Sequence, residues 1–336
     1  MRIHYLLLST ATASLTYPDC QPPDSFTQIS FEAARLRRSN LGGLGGRCDN
    51  NGALCTEGQT TTSTPRDLYI ENVGVHTSGQ IDLRIVNESE YRAWETARNG
   101  VKRQRGSVTT SDSGYFGAVN LLAPRAFVAN DPMSWRSDLT YVQLRFEFVD
   151  TTSGQPVGAI DKLFMSFYDF DSGQNWGQGE APSTECLMFE PSSLLVRADT
   201  ANETDIVTYP NSDVFNPLVA EGVATTWPNN TLYCATVYGV GRDNPILPNE
   251  LTNAEKRKAL MAEFINVQTF TVRFAILTCC SSGRNFLFAG FSNIFRPLCP
   301  APPSPPRSSF VAILRHRVLM KGHPWGSLSR SLPSLT

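Results

Sequence analysis

The chain of 336 residues predicts an all-β protein: an antiparallel β-sandwich, jelly-roll-like, with one or two short helices. Three observations predict it. Val142, Leu144, Phe146 and Phe148 alternate with Gln143, Arg145 and Glu147, and a period of two puts one set on each face of a strand. Further strand-like runs recur along the chain between Gly-, Asn-, Asp- and Pro-rich turns, with no strand–helix–strand rhythm. Aromatic and β-branched residues are plentiful enough to fill a core, which argues against global disorder.

Taken in order, residues 1–30 read as leader and linker. Tyr5-Leu6-Leu7-Leu8 followed by Ala11-Thr12-Ala13 resembles a short signal peptide with a small-residue cleavage site; a misassigned start is the alternative. Residues 29–36 suit a first strand. The glycine-rich stretch 40–47 is a sharp turn, lacking the Lys-Ser/Thr pair of a phosphate loop and the spacing of a dinucleotide fingerprint. Strands follow at 68–70 and 81–86, then a short helix at 90–98, a basic loop at 102–105 and a strand at 115–122. The alternating strand at 141–149 leads through the turn formers of 150–154 to an aromatic-rich strand at 163–170. Strands at 187–197, 206–209 and 232–238 come next. Thr252-Asn253-Ala254-Glu255 is a capping box, which opens a helix to about residue 264. Strands at 269–279 and 284–290 close a domain spanning 31–292. Residues 293–336 are Pro-rich and then basic, without a strand or helix period, and read as a disordered tail.

Eight cysteines suit an oxidising compartment. The sequons at Asn87, Asn202 and Asn229 agree, so the expected location is secreted or cell-surface. Cys48 and Cys55 flank a six-residue stretch and read as a small disulfide loop. Neighbours on a strand point to opposite faces, so Cys279 and Cys280 are each expected to bond to Cys186 or Cys234, in either order. No run approaches the ~20 apolar residues of a membrane helix, so no membrane span is expected. Net charge is −2, and the basic residues of 301–336 leave the remainder acidic, which disfavours nucleic acid as a partner.

Several short motifs, among them Asn40-Leu41-Gly42-Gly43, Asn72-Val73-Gly74, Phe167-Tyr168-Asp169-Phe170-Asp171-Ser172-Gly173 and Tyr238-Gly239-Val240-Gly241-Arg242-Asp243-Asn244-Pro245, resemble markers of uncharacterised secreted β-sandwich modules of protists. The resemblance covers roughly 31–290, implies one domain, and implies no particular activity.

The four histidines limit the chemistry. Only His76 lies in the body of the chain, in a Gly/Ser turn, so a Ser–His or Cys–His nucleophile and histidine-rich zinc are disfavoured. Two-carboxylate glycoside hydrolysis needs no histidine, and Glu147, Asp169, Asp171 and Asp243 are its candidates. Asp169 and Asp171 flank one residue at a strand end. With Asp243 and Asn244 they form the expected calcium site, calcium being the one cofactor the sequence suggests; a solvated strand end is the other reading. Trp94, Arg103 and Arg105, with Tyr91, Arg98 and Lys102 nearby, form a basic–aromatic patch suited to an acidic or sulfated glycan, or else a solvated loop. Trp176 and Trp227 sit in loops where rings can stack on sugars. The function these features favour is an extracellular, non-enzymatic binding or adhesion module, with a glycan or a cell-surface protein as partner. A carbohydrate-active hydrolase and a structural coat protein are the alternatives.

Overall fold

Among the described residues, sixteen strands and one short α-helix form two antiparallel sheets. The structure is a computed structural model, and it describes residues 27–47, 54–55, 65–102, 115–123, 139–172, 184–190, 194–198, 204–210, 231–239, 244–277 and 283–290. All of them belong to one compact unit, Met1–Pro297; a second unit, Leu298–Thr336, falls outside the described residues, as do most of the predicted leader and the whole tail.

In chain order the elements are β1 (Arg35–Ser39), β2 (Gly46–Arg47), β3 (Leu54–Cys55), β4 (Asp67–His76), β5 (Gly79–Asn87), β6 (Gly100–Lys102), β7 (Phe116–Leu122), β8 (Leu139–Asp150), β9 (Ile160–Tyr168), β10 (Thr184–Phe189), β11 (Leu194–Ala198), β12 (Ile206–Tyr209), β13 (Leu232–Ala235), α1 (Asn253–Arg257), β14 (Leu260–Val267), β15 (Thr269–Leu277) and β16 (Gly283–Ala289). The larger sheet runs β12-β13-β10-β15-β8-β5-β4-β1-β2-β3, the smaller β11-β14-β9-β16-β7-β6. From β8 onward successive strands mostly shuttle between the sheets, which is how a β-sandwich buries the inner face of each.

The alternation in the sequence becomes the core. Val142, Leu144, Phe146 and Phe148 of β8 and Phe270, Val272, Phe274 and Ile276 of β15 are all buried on the inner face of the larger sheet. Phe288 of β16 meets Phe146 edge-on at 5.2 Å, and Phe286 lies 4.3 Å from Phe274, so the aromatic seam crosses between the sheets. Each such ring contributes about 2–3 kcal/mol by leaving water.

Four expectations need correction. The capping box forms: Glu255 N–H donates to Thr252 Oγ1 at 3.3 Å, and Thr252 N–H to Glu255 Oε2 at 2.6 Å. The helix nevertheless ends at Arg257, and residues 260–267 become β14, paired on both sides by β11 and β9. Two ladders of hydrogen bonds outweigh a local helical pattern. Residues 90–98 are irregular with one 3₁₀ turn at Thr96–Arg98, because Tyr91 is drawn down to the Asn99–Asn120 pair, its hydroxyl 2.6 Å from Asn120 O. The stretch 187–197 splits into β10 and β11, one in each sheet. The first strand begins at Arg35, not near residue 29.

The cysteine pairing is also corrected. β10 and β13 are antiparallel neighbours with Cys186 opposite Cys234, and these two bond to each other (S–S 2.03 Å, Cα–Cα 4.1 Å). They therefore cannot serve Cys279 and Cys280, which lie outside the described residues. The bridge sits in a second apolar cluster with Met188, Leu232 and Ala275, on the face of the larger sheet turned away from the main core.

Candidate binding cleft

The residues before β1 act as a strap. Thr27 N–H donates to Lys162 O of β9 at 2.9 Å, and Ser30 N–H to Val73 O of β4 at 2.7 Å. One short segment thus ties the smaller sheet to the larger at one end of the sandwich. Ile29 and Phe31 turn into the core, Phe31 edge-on to Phe288 at 5.7 Å. The strap lies so close to its neighbours that two positions must lack a side chain. A Cβ on Gly74 would stand 2.5 Å from Gln28 O, and one on Gly290 would stand 1.8 Å from Ile29 O.

Beside the strap is a cleft of about 230 Å³. Gln28 to Glu32 form one wall, Leu247 to Glu250 the other, and Tyr115, Ala289 and Gly290 complete it. The second wall is a turn, closed by Glu250 N–H donating to Leu247 O at 3.3 Å, and it runs directly into the capped helix α1. Upstream the same segment is pinned by Asn244, whose Nδ2 donates to Asp169 Oδ2. Glu32 and Glu250 are exposed, and neither carboxylate enters an ion pair among the described residues. Among the described residues no Lys, Arg or His lines the cleft.

A buried ionic cluster stands at one end of β16. Lys258 Nζ donates to Asp171 Oδ1 at 2.7 Å. Glu185 Oε2 accepts from Asp171 N–H at 3.2 Å, and Glu185 Oε1 lies 3.5 Å from Arg284 Nε. Burial pushes the Glu185 carboxyl up to about 8; the Asp171 charge adds to this, while Arg284 and Lys258 oppose it. The spacing of Asp169 and Asp171 suggested carboxylates sharing one face. Asp169 instead has φ of 67°, which breaks the strand alternation there. The ammonium of Lys258 already compensates Asp171, and Asn244 presents its N–H, not its oxygen, to Asp169. Asp243 lies outside the described residues. Among the described residues no group of three His, Cys, Asp or Glu stands together to hold a metal ion.

The other predicted site residues disperse. Glu147 is buried and ion-paired to Arg84 and, at 3.4 Å, to Arg145. Trp94 is 43 % exposed but packs on Gly283, at the opposite end of β16 from Gly290 and the cleft. Arg98 pairs with Glu95 at 2.7 Å, and Lys102 is buried. Burial, reinforced by the Arg98 charge, pushes the Lys102 amine down to about 8. Asn87 is engaged at both ends of its amide: Oδ1 accepts from Gly42 N–H at 3.1 Å and Nδ2 donates to Ser89 O at 2.9 Å. Arg103, Arg105, Trp176, Trp227, Asn202, Asn229 and Cys48 lie outside the described residues; Cys55 falls in β3. The cleft residues Glu32, Tyr115, Asn249 and Glu250 were not singled out from the sequence. The one local signal was the Pro248-Asn249-Glu250 run just before the capping box.

No family model matches the chain, and no characterised protein matches it in sequence. Solved structures with similar architecture include the adhesin domain of PrgB from Enterococcus faecalis, at 12 % identity over 78 % of this chain and 72 % of that one, with a TM-score of 0.36. The same domain bound to DNA matches over 78 % and 77 % at a TM-score of 0.34. The glucan binding protein C of Streptococcus mutans matches at 11 % identity over 80 % and 77 %, with a TM-score of 0.32. Likenesses this loose carry no functional argument.

Proposed function

We propose that this chain is an extracellular, non-enzymatic adhesion module that binds a glycan in the cleft between the strap and the 247–250 turn. The cleft itself carries this reading. It offers the amides of Gln28 and Asn249, the Ser30 hydroxyl and two carboxylates, beside the ring of Tyr115. Paired donors and acceptors with an aromatic edge suit a ligand made of hydroxyls and sugar-ring C–H faces. Both walls are anchored to the sheets before any ligand arrives, so binding loses little to ordering. A disulfide within the sandwich is in keeping with an oxidising, extracellular setting. Among the carboxylates proposed for hydrolysis, Glu147 and Asp171 are held in ion pairs, which favours binding over bond cleavage.

A glycan array probed with the full chain, with duplex DNA as a parallel arm, tests the proposal. Binding to a glycan class that weakens at least about tenfold in Asn249→Ala and Gln28→Ala would support it. Binding to DNA alone, or to no glycan, would overturn it. Release of new reducing ends from a bound glycan would favour the hydrolase instead.

A further inference from the structure

We propose that the side chains of Lys258 and Asp171 become joined by an amide bond, formed by the folded protein itself with Glu185 relaying a proton. This is independent of what the cleft binds. Lys258 Nζ stands 2.7 Å from Asp171 Oδ1, and the two side chains are only 6 % and 9 % exposed. Asp171 lies just past the end of β9 and Lys258 just before β14, its pairing neighbour. Phe170 N–H donates to Lys258 O at 3.1 Å, which fixes the two backbones side by side. Glu185 N–H donates to Asp171 O at 3.2 Å, and Ser172 N–H to Val237 O at 2.9 Å, so Asp171 is held from β10 as well. The carboxyl packs directly on Gly239, where a Cβ would stand 1.7 Å from Asp171 Oδ2 and 1.8 Å from its Cγ.

Hydrogen-bonded to Oδ1, the nitrogen is one bond short of Cγ itself, close to the about 3–3.5 Å from which attack proceeds. The pair starts as ammonium and carboxylate. One ammonium proton passes to a carboxylate oxygen, and the freed lone pair attacks Cγ. The bond from Cγ to the protonated oxygen then breaks as the nitrogen gives up a second proton. The departing oxygen takes both protons and leaves as one water, so no oxidant or other reactant is needed. Glu185 is placed beside this exchange, its Oε2 accepting from Asp171 N–H at 3.2 Å, and its side chain is only 4 % exposed. Burial pushes its carboxyl up to about 8, so at neutral pH it holds a proton to lend to the attacked carboxyl and regain. Burial also sets the direction. Two desolvated charges are costly, and the product is a neutral amide. Lys258 and Asp171 are 87 positions apart and enclose Cys186 and Cys234, so the amide closes a second loop outside the disulfide, one that reductants leave intact.

Mass spectrometry of the full chain after reduction, alkylation and tryptic digestion tests the proposal. The parent chain should give a branched fragment in which residues 163–197 are joined to 258–273. That fragment should be lighter by one water than its two parts together, with Lys258 protected from cleavage. Glu185→Gln should cut the joined fraction at least about tenfold, the low end of what a lost proton carrier costs. Glu185→Asp restores an acid and should recover part of that loss, which a merely space-filling role for Glu185 would not produce. Lys258→Arg keeps a positive charge opposite Asp171 and should give no joined fragment. Recovery of 163–197 and 259–273 only as separate peptides from the parent chain would overturn the proposal, whatever the variants do. A joined fraction in Glu185→Gln equal to the parent's would overturn the part assigned to Glu185.

Discussion

Glu185 on the larger sheet and Arg284 on the smaller face each other across the end of the sandwich, Oε1 to Nε at 3.5 Å, and burial holds the Glu185 carboxyl up to about 8. The folded protein thus keeps a proton that the unfolded chain releases near the ordinary glutamate value of 4.5. Stability from this group is complete below about 4.5 and is lost as pH rises to about 8. Lys102 works in the opposite sense. Its amine is pushed down to about 8 from 10.5, so the unfolded chain binds more protons between those values, and stability recovers as pH rises through them. The melting temperature should consequently pass through a minimum near pH 8. Glu185→Gln should flatten the acid side of the dip and Lys102→Met the alkaline side. A monotonic profile in the parent chain would refute the pairing of effects.

The cross-strand bridge closes a loop of 48 residues. Chain-entropy reasoning puts its contribution at about 4 kcal/mol. Non-reducing peptide mapping should recover Cys186 linked to Cys234, and the double substitution to serine should lower stability by about 2–5 kcal/mol. Either cysteine found joined to Cys279 or Cys280 would contradict the observed register.

Gly290→Ala should detach the strap, because the added methyl would sit 1.8 Å from Ile29 O. Overpacking against backbone costs about 1–3 kcal/mol, with no flexible side chain nearby to yield. Protease nicking before residue 31 should become easier in this variant, and glycan binding should fall along with it.

Lys258 supplies the charge that calcium was expected to bring to Asp171. Melts of the parent chain in millimolar calcium and in EDTA should therefore superimpose. Lys258→Met leaves a buried carboxylate uncompensated and should cost about 3–5 kcal/mol. A calcium-dependent rise in the parent melting temperature would show that an ion can displace the lysine.

The larger strands were legible because each shows its burial as a period of two. Residues 142–148 and 269–277 needed nothing beyond alternation, and the Asp150 turn is there as expected, its carboxylate capping Ser153 N–H at 2.7 Å. Residues 260–267 were not legible. Their strand state comes from two neighbours, β9 and β11, that lie far away in sequence. The disulfide was missed for a related reason: alternation tells which face a cysteine occupies, but only strand order tells which cysteine lies opposite. The cleft was the least legible. Gln28, Tyr115, Asn249 and Gly290 come from four separate stretches, and nothing local marks any of them as lining a site.

The strap also sets a timetable for synthesis. Residues 27–31 are made before their seat, which includes Phe288 of β16 and Gly290 just beyond it, some 260 positions later. At about 5–20 residues per second, that seat is missing for at least about ten seconds after the strap has been made. The strap cannot reach its full seat until β16 has been made. The cleft consequently acts as a mark of completion, since a chain that stops short of β16 lacks the Ala289 and Gly290 that line it.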